Sequence, residues 1–91
     1  MANAFLDTVD KISLGKKIRL ARIAAGLTQQ ELATKITTEL SSEELASGLY
    51  ITQSSLSDFE NDVTEPRWSL MLRIIKGLNA DISFFIPRDM K

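Results

Sequence analysis

The fold is decided by residues 13–33, which read SLGKKIRLARIAAGLTQQELA. After the helix-capping residue Ser13, apolar side chains recur at helical spacing on one face, namely Leu14, Ile18, Ala21 and Ala25. Gly26 is a natural helix stop. Thr28 with Glu31 three residues later forms a capping box, which marks the start of a second helix. The stretch therefore predicts a helix, a glycine turn and a capped helix.

The rest of the chain predicts more short helices and an all-α domain. From apolar spacing and capping residues, the predicted helices are residues 3–12, 14–25, 29 to about 36, 53 to about 61, 66 to about 79 and 82–86. Ser41 and Glu44 form a second capping box, before one or two helical turns that can stop at Gly48. The alternation of Ile82 and Phe84 suits a strand about as well as a helix, so both remain open there.

Length and composition describe one small domain. The chain has 91 residues, of which 44% are hydrophobic and 25% charged, and chains form a second core only at roughly twice this length. We expect residues 1–12 to be an N-terminal extension and residues 13–91 to be the domain. A core of this size gives modest stability, so contacts with a second subunit are expected.

Two missing residue types exclude most catalytic chemistry. The sequence has no cysteine and no histidine, which removes disulfides, zinc fingers, thiol nucleophiles and imidazole bases. Glu43 and Glu44 are adjacent, so on a helix they point about 100° apart and cannot form a facing pair of carboxylates. We therefore predict that the protein is not an enzyme and uses no cofactor or metal ion.

The hydropathy pattern predicts a cytoplasmic protein with no membrane segment. No apolar run approaches the ~18 residues of a membrane span. The start of the chain lacks the basic and apolar regions of a signal peptide.

Charge is strongly segregated along the chain, although the net charge is only −1. Residues 1–36 carry six Lys and Arg against three acids, residues 37–65 carry seven acids and no base, and residues 66–91 carry five bases against two acids. A surface that binds nucleic acid must therefore take its cations from the two ends of the sequence.

Three stretches together resemble the Cro and phage-repressor type helix-turn-helix family, also called Xre. They are LGKKIRLAR at 14–22, GLTQQELA at 26–33 and ITQSSLSDFEN at 51–61, and later segments are similar to that family's fourth and fifth helices. The resemblance covers about residues 13–86. It implies a lambda-repressor-like five-helix DNA-binding domain, usually dimeric, whose recognition helix enters the major groove while the preceding helix lies across the DNA backbone.

The resemblance also implies roles for individual residues. The residues expected to read bases are Gln53, Ser54, Ser55 and Ser57, on the recognition helix that opens at Thr52. Those expected at the DNA backbone are Thr28, Gln29, Lys35, Thr52, Asn61 and Arg67. Gln29 is also expected to brace Gln53, and Arg22 and Glu60 occupy the positions of a structural ion pair.

Other cations and apolar residues carry weaker expectations. Further phosphate candidates are Lys16, Lys17, Arg19, Arg73 and Lys76. The apolar stripe of residues 68–78 covers an arc of about 200° on a helical wheel, wider than one packing contact needs. We accept about half of it as core and expect the surplus to form a homodimer face, since a two-fold operator requires two recognition helices.

The segment of residues 37–50 departs from the family, which joins the two helices with a turn of ~3–4 residues. This acidic insertion can loop outward and leave the DNA-facing geometry intact, or it can pack over the recognition helix and block it. Length favours the outward loop, because surface insertions cost little closure entropy.

Two functions remain open from the sequence. The first is a sequence-specific transcriptional regulator, a homodimeric repressor that binds a double-stranded DNA operator. The alternative is an antitoxin-like interaction module, in which the acidic region 37–65 docks a basic protein partner and DNA binding is secondary.

Overall fold

The computed structural model describes residues 12–86, which form five α-helices and one short 3₁₀ helix with no strand among them. The helices are α1 Leu14–Ala24, α2 Gln29–Glu39, α3 Ser42–Ala46, α4 Gln53–Glu60 and α5 Trp68–Leu78, followed by the 3₁₀ helix Ile82–Phe84. The helix expected over residues 3–12 lies outside the described residues, apart from Ile12.

Side-chain caps begin most helices where the sequence predicts them. Ser13 accepts a hydrogen bond from the Lys16 amide, and both expected capping boxes are present, at the starts of α2 and α3. Gly26 follows α1 with a φ of 75°, a left-handed conformation that glycine adopts without strain. The predicted helix, glycine turn and capped helix are confirmed.

Two helix boundaries differ from the sequence prediction. Helix α2 continues to Glu39, about one turn beyond residue 36, because the next residue, Leu40, packs into the core and keeps the last turn in place. Helix α5 begins at Trp68 and not at Pro66, since Arg67 is its extended N-cap and supplies the first carbonyl acceptor. At the end of the chain the helical alternative is correct, because Asp81 caps the 3₁₀ turn.

The core lies where α1, α2, α4 and α5 meet. Its buried members include Ile18, Leu32, Ile36, Leu56, Met71 and Ile74. Helix α4 packs against α1 and α2, while α5 packs against α2 and α1 from the other side. This arrangement holds α4 along its C-terminal half and leaves its first turn exposed.

The insertion loops outward, as its length favours. Its two ends are tied together, because the Thr37 hydroxyl donates to the Ile51 carbonyl at 3.1 Å. Leu40 and Leu49 are buried in the core, whereas no residue of α3 is buried. Glu44 of α3 pairs with Arg73 of α5, so the segment is attached to α5 and does not cover the start of α4.

The apolar stripe of α5 divides into a buried and an exposed part. Leu70, Met71, Ile74, Ile75 and Leu78 are buried, whereas Trp68 and Leu72 are 56% and 42% exposed. Among residues 12–86, no helix has the length and hydropathy needed to cross a bilayer.

Candidate nucleic-acid interface

The first turn of α4 projects from the surface as a small polar tip. Thr52 is its N-cap, and Gln53 and Ser54 follow with exposed side chains. No side chain of the insertion hydrogen-bonds to these residues in the described part of the chain. The tip can therefore approach another molecule.

A chain of hydrogen bonds runs from this tip into the protein interior. The Gln53 Nε2 donates to Gln29 Oε1 at 2.8 Å, and the Gln29 Nε2 donates to Glu60 Oε1 at 3.1 Å. Glu60 in turn accepts two bonds from Arg22, from Nε at 2.7 Å and from Nη2 at 2.9 Å. The ion pair implied by the resemblance is present and is linked to the tip through Gln29.

The carboxylate at the inner end fixes the direction of both amides. An ionised carboxylate only accepts hydrogen bonds, so Gln29 must turn its NH₂ group toward Glu60 and its oxygen toward Gln53. The Gln53 NH₂ group then faces Gln29 and retains one free N–H, and its Oε1 is also free. A free N–H beside a free oxygen is the pair of groups that binds N7 and N6 of adenine in the major groove.

Glu60 remains ionised although its side chain is fully buried. Burial acts to raise the pKa of Glu60, but hydrogen bonds from Arg22, Gln29 and Arg19 outweigh it, and the pKa lies below its ordinary value. The same pair raises the pKa of Arg22, chiefly through its hydrogen bond to Glu60. Both charges are therefore present at neutral pH.

Two of the four serine and glutamine side chains expected to read bases are engaged elsewhere. The Ser55 hydroxyl donates to the Thr52 carbonyl and accepts from the Thr52 N–H, at 3.0 Å in each case. Ser57 is half-buried, and its hydroxyl lies 3.4 Å from the Asn61 amide nitrogen. These contacts leave Gln53 and Ser54 as the exposed base-reading candidates.

The residues expected at the DNA backbone lie at different places on the surface. Thr28 and Thr52 are exposed N-caps. Asn61 is exposed at the end of α4 and bonds within the protein, donating to the Ser57 carbonyl and accepting from Arg19 at 3.1 Å. Lys35 and Arg67 are both exposed.

Two grooves flank the tip. One, of about 430 Å³, lies between α2 and α4 and is lined by Thr34, Thr37, Thr38, Thr52 and Gln53, among others. The other, of about 360 Å³, is lined by Tyr50, Thr52, Ser55, Glu65 and Arg67, among others. Arg67 therefore lies beside the tip, whereas Lys35 does not line either groove.

Three of the other cations are placed differently from expectation. Lys17 is only 2% exposed, so most of its side chain is buried and it is a weaker phosphate candidate than the exposed lysines. The Arg73 side chain bonds to the Glu44 carboxylate. The pKa of Glu44 is lowered most by the hydrogen bond from the Ser41 backbone N–H, and further by the hydrogen bond from Arg73. Arg19 is divided between Glu60 and Asn61. Lys16 and Lys76 are exposed.

Some features at the two ends of α4 were not predicted from the sequence. Asp62 accepts from the Ser13 hydroxyl at 2.7 Å and from the Gly15 N–H at 3.1 Å, joining the end of α4 to the start of α1. The signal available in the sequence was only an Asp at the end of a helix, and the structure shows a φ of 59° there. Tyr50 is also exposed beside the tip.

No cluster of three or more acidic side chains able to hold a metal ion occurs within residues 12–86.

Helices α2 and α4 pack against each other, and the first turn of α4 is polar and exposed. This arrangement is that of a helix-turn-helix protein, a class that binds DNA. A family model described as a helix-turn-helix domain matches residues 13–83, from the N-cap of α1 to within the 3₁₀ helix. The chain belongs to this helix-turn-helix domain family and has a lambda-repressor-like five-helix fold. No curated protein and no solved structure matches this chain.

Proposed function

We propose that this chain is a sequence-specific transcriptional regulator that acts as a homodimeric repressor, with α4 reading the major groove of an operator. The observation that carries the proposal is the exposed Gln53 amide, oriented by Gln29 and Glu60 with one N–H and one oxygen free. Selection of bound sequences from a random pool tests it, and recovery of a near-palindromic site is the expected result.

Phosphate contacts would hold the tip in register. The N-terminus of α2 presents backbone N–H groups and the second amide hydrogen of Gln29, which together suit an anion. Arg67 supplies a cation beside the other groove, and Lys35 supplies one from the outer side of α2. We assign the larger contribution to Arg67 because it lies next to the tip.

The acidic docking alternative has less support. Of the seven carboxylates in residues 37–65, Glu44, Glu60 and Asp62 bind within the chain, so the surface is less acidic than the sequence indicates. Co-purification with a basic protein, without any retention of DNA at low salt, would favour that alternative.

The first prediction concerns base reading. We expect Gln53→Ala to weaken binding to the selected operator by about 1–3 kcal/mol, because the bidentate contact to one base is lost. The loss should vanish when that base pair is also changed. Mobility shifts on the operator and its single-base variants measure both effects.

A matched glutamine on α2 provides the control. The Gln30 side chain donates to Thr34 within its own helix at 3.1 Å, so Gln30→Ala should leave base preference unchanged. Equal loss by Gln53→Ala on every sequence would contradict the base-reading role.

Homodimerisation is supported by an apolar face at the far end of α5. A groove of about 530 Å³ is lined by Leu20, Ala24, Leu78, Asn79 and Phe84, among others. Leu72 lies seven residues before Asn79 and therefore on the same side of α5, and is a second exposed apolar side chain there, with the exposed Lys76 between the two. Helix α5 is about 16 Å long and Arg67 is at its other end, so a partner on this face leaves the tip free.

The second prediction tests this face. We expect wild-type protein to sediment as a dimer and Leu20→Glu to sediment as a monomer, because an exposed apolar side chain at the interface is replaced by a charge. Val63→Glu is the control, since Val63 is 68% exposed on the loop after α4. A Leu20→Glu variant that remains dimeric, and folded by circular dichroism, would place the interface elsewhere.

A further inference from the structure

Tyr50, from the inserted segment, is the most exposed aromatic side chain near the tip, at 61%. Its two neighbours, Leu49 and Ile51, are buried at 7% and 4% exposure. Between two inward-facing residues of a non-helical stretch, the Tyr50 side chain is directed outward. The Thr37 bond to the Ile51 carbonyl holds this stretch in place, so the outward direction is fixed by the fold.

We propose that Tyr50 is a DNA-contacting residue, whose hydroxyl donates a hydrogen bond to a phosphate of the strand that runs through the 360 Å³ groove. This inference rests on the proposed function, since it concerns the same DNA-binding surface. It gives the insertion a role that the family's short turn cannot supply.

The chemistry of the groove suits one sugar-phosphate strand. Tyr50 and Arg67 both line it, and both residue types contribute N–H or O–H donors to phosphate. Thr52 and Ser55 form the wall on the α4 side. Glu65 also lines the groove, and its carboxylate opposes an anionic strand.

The position of the groove agrees with the way a helix enters DNA. A helix in the major groove has a phosphate backbone on each side, since the groove is ~12 Å wide. Thr34 and Thr38 line the groove on one side of the tip, and Tyr50 and Arg67 line the groove on the other. The two flanking grooves therefore provide one site for each strand.

The charge difference between Tyr50 and Arg67 makes the test specific. Binding to a mixed-sequence duplex two helical turns long is measured over a range of salt concentrations. Tyr50→Phe should bind about tenfold more weakly at every salt concentration with an unchanged salt slope, because a neutral donor to a charged acceptor is lost without releasing a counterion. Arg67→Ala should also weaken binding, and should reduce the slope by about 0.9.

Two further variants set the controls. Glu65→Gln should tighten binding, because the opposing charge is removed. Ser47→Ala lies in the same insertion, where the Ser47 hydroxyl donates to the Glu44 carbonyl, and should bind like the wild type. Circular dichroism and thermal unfolding verify that each variant is folded.

The outcomes separate the inference from the proposed function. If Tyr50→Phe binds like the wild type while Arg67→Ala binds more weakly, the inference is wrong and the DNA-binding function stands. If wild-type protein shows no salt-dependent binding to the duplex at low salt, the proposed function fails, and the inference fails with it. A changed slope for Tyr50→Phe would also overturn the phosphate role.

Discussion

Replacing Glu60 with glutamine is expected to lower the free energy of unfolding by about 3–5 kcal/mol, the usual cost of breaking a buried ion pair by removing one partner. The Glu60 side chain is fully buried and that of Arg22 is 13% exposed, so the guanidinium would keep its charge without a counter-charge. Glutamine fills a similar volume, so the loss reports on charge and hydrogen bonding more than on packing. For a domain of this size, a loss of about 3–5 kcal/mol is a large share of the total free energy of unfolding.

The same carboxylate makes stability depend on pH. Because the pKa of Glu60 is lowered in the folded protein, its contribution is fully present above the ordinary glutamate pKa of about 4.3 and is lost as the pH falls through the folded value. Wild-type protein should therefore lose stability on acidification below about pH 4.3, and Glu60→Gln should lack this component.

Urea unfolding at neutral and acidic pH measures both effects. Glu39→Gln is the matched control, since Glu39 is exposed at the end of α2, and we expect it to change stability by less than about 0.5 kcal/mol. If Glu60→Gln were as stable as Glu39→Gln, the buried pair would not be a stabilising contact. Glu60→Gln should also weaken base discrimination, because a glutamine no longer fixes the direction of the Gln29 amide.

A methyl group at Gly15 is expected to cost about 3 kcal/mol, at the upper end for overpacking. A Cβ built there would lie 2.3 Å from the Phe59 carbonyl oxygen and 2.9 Å from the Glu60 carbonyl oxygen. Both oxygens are backbone atoms at the end of α4. The steric overlap can therefore be relieved only if α1 and α4 move apart. The Asp62 carboxylate, 2.6 Å from the same Cβ, would be displaced as well.

Gly77 in α5 provides the comparison for this variant. A Cβ there meets only side-chain atoms of Ile36 and Leu32, the nearest at 2.9 Å, and alanine also favours the helix by up to about 1 kcal/mol. Thermal unfolding should therefore show a smaller loss for Gly77→Ala than for Gly15→Ala. Equal losses would show that the α1 and α4 backbones are not in obligatory close contact.

The sequence predicts the local structure better than the contacts between helices. Capping boxes and glycine stops act within four or five residues, so Thr28, Ser41 and Gly26 identify their turns directly. The close approach at Gly15 depends on a helix that begins 38 residues later, at Gln53. Nothing near Gly15 in the sequence distinguishes it from an ordinary helix residue.

In the candidate site, too, local features could be predicted from the sequence better than contacts between helices. Gln53 at the tip follows from the resemblance and from its place after a capping threonine. The contact of Ser55 with its own cap, Thr52, is local, and the spacing of a capping box could have predicted it. The burial of Lys17 depends on packing between helices, which a helical wheel does not contain. The link from Glu60 through Gln29 to Gln53 joins residues 31 and 24 positions apart, which spacing rules do not reach.

The closed base of the insertion has a consequence for protein engineering. Because the Thr37 hydroxyl bonds to the Ile51 carbonyl, and Leu40 and Leu49 anchor the insertion in the core, the exposed turn between Leu40 and Leu49 is the part that can be exchanged with least effect on the core. An epitope or a reporter peptide exchanged for the exposed turn at Ser42–Ala46 would be displayed on the surface beside α5, to which Glu44 bonds. The fold thus contains a natural grafting point between the two helices of its helix-turn-helix.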